Sequence, residues 1–337
     1  MRQPRDARRR SVPGLPAVIL ALAVVGCARP DAGAGAGADS GVRAAALAAD
    51  VRARLDAQTA HYPRPPLRGA PRSGRAVDAY RRAVDALERD AEAAEVTALL
   101  ADGALAADGG SPFTLLDPET PSPRAGWLRL GRIAAEEASR KAKSGDVEGA
   151  VDGLLDGLQL AADYTRGGAF FGRVAAAVVG NPVCRAAREL APGLPPAALS
   201  RLEAAVLALV IPPLGDAVRD EALGTEVMLA RVFAPEFAPP PGASEFDAAT
   251  AHDLLALPWP LAEVVWIEYR ALMAEVAKVA DQPGSVVPEA SALIERGGRF
   301  SPIFSGSDVV SNLRRSLVFT DQLALLAKDL AGHRLGR

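Results

Sequence analysis

An all-α fold is what the 337-residue sequence predicts, and three observations carry the prediction. Aromatic residues make up only 5% of the chain, too few for most sandwich cores. Alanine-rich runs recur, and alanine gives up no side-chain entropy in a helix. No long alternating run of apolar and polar residues marks a half-buried strand. Prolines and glycines separate the helical runs, so the expected architecture is an irregular bundle of helical hairpins, or a short solenoid-like array, with Pro-rich breaks.

Composition narrows the function classes. A hydrophobic content of 49% excludes a wholly disordered chain. Two cysteines exclude a disulfide-dense scaffold. A pI near 5.8 argues against a nucleic-acid partner, because no basic excess exists to neutralise phosphates.

The first element is a leader. Arg2, Arg5, Arg8, Arg9 and Arg10 stand against one acid, Asp6, and an apolar run follows over residues 12–25. A basic stretch followed by a short apolar one has the order of a secretory signal. Its 14 residues are too few to span a bilayer as a helix, and Pro13 and Pro16 interrupt its start. The run ends in Val24, Val25, Gly26 and Cys27. This resembles the lipobox of bacterial lipoproteins. The resemblance implies removal of residues 1–26, a diacylglyceryl group on the Cys27 thiol, and acylation of the new amine. One acyl chain holds a protein to a membrane only marginally, so durable attachment uses two or three. In such lipoproteins an Asp after the cysteine marks retention in the inner membrane, so with Ala28 in that place the resemblance implies the outer membrane rather than the inner one. Loss of residues 1–26 removes five Arg and one Asp, taking the charge from -3 to about -7. Such a surface is expected to be repelled by anionic lipid, leaving membrane contact to the acyl chains. Cys184 then remains alone, so no intramolecular disulfide is expected.

Residues 27–39 form an Ala/Gly tether with no hydrophobic face. Residues 40–337 follow as one all-helical domain, with candidate subdomain breaks near 108–125 and 235–247. Helical spacing places Leu47, Val51 and Leu55 on one face of 40–58. A proline-rich segment, 62–74, ends that helix. One helical run is expected over 75–105, then a loop. The run around Trp127 ends in Arg140, Lys141, Lys143 and Gly145, as suits a helix C-terminus. Asp146 caps the next helix, which makes an antiparallel hairpin with the first. That helix places Val147, Ala150 or Val151, Leu154, Leu158 and Ala161 inward, and Glu148, Asp152, Asp156, Gln159 and Asp163 on the opposite stripe.

The next helix, over 168–190, is expected to bury Phe171, Val174, Val178 and Ala186 and to kink or break at Asn181-Pro182. Helices at 197–210, 214–233, 248–257 and 261–280 follow. Their inward faces are Leu199, Leu202, Val206 and Leu209 in the first, Val218, Ala222, Leu229 and Val232 in the second, and Val264, Val265, Ile267, Leu272, Val276 and Val279 in the last. A short helix lies near 288–296. A final one, capped by Ser305 or Ser307, buries Val309, Leu313, Leu317, Leu323, Ala327 and Leu330.

Within the hairpin, Gly145, Ala150, Leu154 and Leu158 resemble the latter half of a tetratricopeptide unit. Ala134, Glu137, Ala138 and Lys141 depart from its first half, and no second copy appears at a 34-residue period. Residues 128–232 also resemble uncharacterised helical secreted proteins of high-GC planctomycete- and myxobacteria-like bacteria. Gly145-Asp146, the helix over 168–190 and Gly193-Leu194-Pro195-Pro196 carry that likeness. It implies a helical fold and no particular activity.

Candidate chemistry is thin. His61, His252 and His333 are isolated, and none belongs to a metal-ligand spacing. His252, next to Asp253 and eleven residues before Glu263, is a weak candidate beside a surface histidine. Glu148, Asp152 and Asp156 could hold a hard cation, but such a stripe more often faces solvent or arginines of a neighbour. Glu226, on the helix of Arg219 and Glu221, lies close to an inward line and is expected to pair with an arginine from elsewhere, a shifted functional carboxylate being the rival reading. Cys184 reads as a small buried hydrophobe. No serine elbow and no phosphate-cradling loop occurs, so neither a catalytic residue nor a cofactor is assigned. The functional expectation is an envelope lipoprotein that serves as a scaffold or protein-binding module, with a peptide or partner helix as its ligand. An envelope enzyme built from dispersed acids and a lipid or small-molecule carrier stay open.

Overall fold

The structure, a computed structural model, describes residues 37–58, 64–108, 125–233, 261–282, 286–296 and 306–336. Among them are eleven α-helices and no strand. These are α1 (Gly37–Gln58), α2 (Ala76–Glu88), α3 (Ala93–Ala104), α4 (Ala125–Lys143), α5 (Val147–Tyr164), α6 (Ala169–Leu190), α7 (Pro196–Ala208), α8 (Leu214–Phe233), α9 (Leu261–Ala280), α10 (Val286–Arg296) and α11 (Gly306–Leu335). The all-α expectation holds. Both candidate subdomain breaks, the expected helix at 248–257, Ser305, the side chain of Val232, and residues Cys27, His61 and His252 lie outside the described residues.

Three cores form. The largest joins α2 to α7 with the second half of α11, around Tyr80, Trp127, Leu154, Leu158 and Phe319. The second joins α8, α9, α10 and the first half of α11, around Tyr269, Met273, Val276 and Leu313. The third binds α1 to α8 and Trp266 of α9. Of the two forms expected, this is the bundle. In a solenoid each unit touches only its chain neighbours, whereas α11 packs on α6 and α7, and α1 packs on α8.

The α4–α5 hairpin is built as its sequence dictates. Gly145 takes φ +86°, its N–H and that of Asp146 donate to Ala142 and Lys141 carbonyls, and α4 ends in a left-handed cap. The Asp146 carboxylate accepts from the Gly149 N–H at 2.9 Å and starts α5. The expected single run over 75–105 is instead two helices. Asp90, at φ +54°, ends α2 with the same pattern: its N–H donates to Leu87, and that of Ala91 to Ala86. An aspartate tolerates this conformation better than most non-glycine residues, so the break carries no glycine to betray it.

Other expectations change. The α1 helix begins at Gly37, inside the stretch assigned to the tether. Of the kink or break expected at Asn181-Pro182, the break is absent, since α6 runs through Pro182. Proline frees the carbonyl four residues back, and that residue, Val178, is 45% exposed, which puts it on the solvent side of the helix. The buried face of α6 is also rotated. Phe170, Ala176, Val179, Val183 and Cys184 point inward, while Phe171 and Val178 are exposed. Likewise α9 buries Trp266, Tyr269 and Met273 and leaves Val264 and Ile267 outside. The predicted inward residues of α7, α8 and α11 that are described are buried or partly buried. Where α4 crosses α6, a Cβ on Gly131 would run into the Val179 carbonyl, so glycine permits the approach.

Candidate functional site

The acidic stripe of α5 is covered, not solvated, over most of its length. The non-helical segment after residue 63 crosses it, carrying Arg64 and Arg68. Arg68 donates through Nε and Nη2 to the two oxygens of Asp156, at 2.7 and 2.6 Å. Arg64 holds Asp163, with Nε 2.8 Å from Oδ1 and Nη2 2.8 Å from Oδ2. The spacing fits. Seven helical residues separate the acids by about 10.5 Å, and four extended residues separate the arginines by roughly 13 Å. Lower on the stripe, Arg201 of α7 reaches Glu148 at 2.7 Å and also binds Asp152. The stripe is therefore a set of arginine partners.

Asp163 is the centre of this region. It has no exposed surface. Tyr80 donates its hydroxyl to Oδ2 at 2.7 Å, and Gln159 donates its amide to Oδ1 at 3.2 Å. Burial pushes the Asp163 carboxyl above the usual carboxylate range, against the pull of Arg64 and Tyr80. Arg64 divides its donors, since Nη1 and Nη2 also serve the carbonyls of Ala104 and Gly103 at the end of α3. A cation suits that helix terminus. Beside this cluster, Arg64, Gln159, Arg166 and Leu209 line a cavity of about 10 Å³. That is room for one water and not for an organic substrate.

Glu226 forms the second centre, and it too has no exposed surface. Arg54 of α1 donates to both its oxygens, at 2.9 and 2.6 Å. Arg270 and Trp266 of α9 donate to Oε2, at 2.7 and 2.9 Å. Asp50 accepts from the Nε of Arg54 at 3.1 Å and lies 3.0 Å from Arg270, which closes a neutral quartet. Burial raises the Glu226 carboxyl, but the donors from Arg54, Arg270 and Trp266 outweigh it and hold the group below its ordinary value. The expected pairing is present, and its partners are Arg54 and Arg270.

Glu221 lies five residues back on α8, about 140° around the helix, and the two acids do not face each other. Its carboxylate accepts one long N–H bond, 3.4 Å, from Phe170 at the start of α6. Burial pushes it above the usual glutamate range, with that N–H pulling the other way. Ala169, just before Phe170, takes φ +49° in the tight turn into α6. Arg219 binds Asp216 and Asp281 at 2.7 and 3.0 Å. Glu263 pairs with Arg43 at 3.4 Å. Cys184 is buried in α6, and burial raises its thiol to about 12 despite Arg188, which leaves little thiolate at neutral pH. His333 sits in the last turn of α11.

Among the described residues, no three His, Cys, Asp or Glu side chains are grouped to hold a metal ion, and no helix is long and apolar enough to cross a membrane. Sequence reasoning missed the arginines of these clusters, Arg54, Arg64, Arg68 and Arg270. The four-residue spacing of Arg64 and Arg68 opposite the acids of α5 was the available clue. No protein-family model matches the chain, and no curated protein or solved structure is significantly similar to it.

Proposed function

We propose that the chain is a lipoprotein of the bacterial envelope, a non-enzymatic helical scaffold or protein-binding module moored by acylated Cys27. The observation that carries the mooring is the order of residues 1–27: five arginines, a 14-residue apolar run, then Val24-Val25-Gly26-Cys27. The acids support the scaffold half. Glu226 and Asp163, the most buried of them, are engaged on both oxygens by donors of the chain itself, an arrangement that joins helices and leaves little for a substrate. The ligand such a module would take is a peptide or a partner helix. Mass spectrometry of the mature N-terminus tests the mooring. A diacylglyceryl-modified Cys27 at the first position is expected, and an unmodified peptide containing residues before Cys27 would overturn it.

One observation favours an enzyme instead. Glu221 carries a carboxyl raised by burial and has no arginine among its hydrogen-bond partners, the environment of a general acid. An activity on envelope substrates that disappears in Glu221→Gln, with folding intact, would favour that reading over the scaffold.

A further inference from the structure

The helices α1 and α9 both pack on α8 and run in the same direction, linked by long side chains. Arg43 meets Glu263, and seven residues on in each helix Asp50 meets Arg270. The chain therefore enters α1 at the end of the molecule where α9 also begins. Gly37 stands six residues before Arg43, about 9 Å further along the axis. Cys27 is ten Cα steps from Gly37, so an acylated cysteine lies within about 35 Å of that end however the connection runs.

That same end carries exposed apolar side chains. Leu261, Val264 and Ile267 follow one another along the outer edge of the first two turns of α9, 48%, 47% and 48% exposed. Val42, level with Ala262 by the pairing above, is 68% exposed. The charges behind them are matched, because Glu263 pairs with Arg43, and Arg270 is bound to Asp50 and Glu226. One exposed acid, Glu268, borders the stripe.

We propose that this edge, Leu261, Val264 and Ile267 with Val42, rests in the interfacial zone of the bilayer to which Cys27 is attached. The proposal depends on the lipoprotein reading. Membrane contact then extends beyond the acyl chains, contrary to the expectation drawn from net charge. The mooring keeps the edge within reach of lipid at high effective concentration, so a small apolar contact suffices to orient the domain. Glu268 makes a neutral bilayer the better host.

The test uses the full acylated chain in phosphatidylcholine vesicles, labelled with an environment-sensitive fluorophore at Val264→Cys or Ile267→Cys. Buried Cys184 escapes the label. Glu136→Cys, on the exposed side of α4, serves as reference. A blue shift and quenching by spin-labelled lipid at 264 and 267, absent at 136, are expected. Equal, unquenched emission at all three sites in vesicle-bound protein would overturn the proposal and leave the anchor standing. A blue shift that appears without vesicles and grows with protein concentration would assign the edge to a second copy of the chain and overturn it too. Vesicle binding unchanged by Cys27→Ser would remove the anchor and the proposal together.

Discussion

Asp163 in the α5 region and Glu226 in the α8 region have no exposed surface, and arginine holds each, yet their carboxyls move in opposite directions. Burial weighs more heavily on Asp163, and the partners differ too. Arg64 is itself buried, with 1% of its side chain exposed, and shares its donors with two carbonyls of α3. Arg54 and Arg270 keep 37% and 31% of their side chains in water, and Trp266 adds a further N–H. A partner that stays partly hydrated costs less to bring to the acid, so more of its attraction remains for the carboxylate. Glu221, with one long N–H bond and no arginine, is the limiting case on the same helix as Glu226.

The largest effect that would sharpen this contrast is loss of Arg64. Arg64→Leu leaves a buried carboxylate short of its main counter-charge and is expected to cost about 3–5 kcal/mol in urea unfolding. Arg64→Lys, which keeps the charge and loses the paired geometry, should cost less. Next comes Glu226→Gln, expected to cost about 1.5–3 kcal/mol at pH 7, because Arg54 and Arg270 can recover water. Its carboxyl is depressed when folded, so its contribution is present above the ordinary glutamate value of 4.5 and fades as pH falls through the folded value. Wild type and Glu226→Gln should therefore converge in acid. A constant gap from pH 7 down to acid unfolding would break the comparison.

Glu221→Gln should reverse the sign. A raised acid favours the protonated form in the folded state, so its charge is a burden at neutral pH, relieved as pH falls towards the ordinary value of 4.5. The variant is expected to be slightly more stable than wild type at pH 7, with the gain vanishing in acid. Smallest is Arg201→Ala at the outer end of the α5 stripe, where Glu148 is 69% exposed. A loss below about 1 kcal/mol, shrinking as salt rises, is expected there.

The two left-handed caps mark how far the sequence could be read. Gly145 announced the end of α4, whereas Asp90 ends α2 through equivalent hydrogen bonds without a residue that advertises the conformation. The faces of α5, α7, α8 and α11 were legible because leucine and valine recur on one side. On α6 they do not. Neighbours cover much of that helix, its contacts use small residues such as Gly180 against Phe319, and Phe171 and Val178 mimic an inward stripe. Glu226 could be suspected from its position beside an inward line, but its partners come from chain positions 44 and 172 residues away, and no local pattern encodes that meeting.

The two-core helix α11 has a consequence for how the molecule is made. Its Val309 and Leu313 complete one core, and Phe319, Leu326 and Leu330 complete another. A chain made from its N-terminus onward completes neither core until positions 306–335 have been added. Late closure of this kind leaves both cores open along one side until synthesis ends, and it makes the last helix the latch that shuts them together.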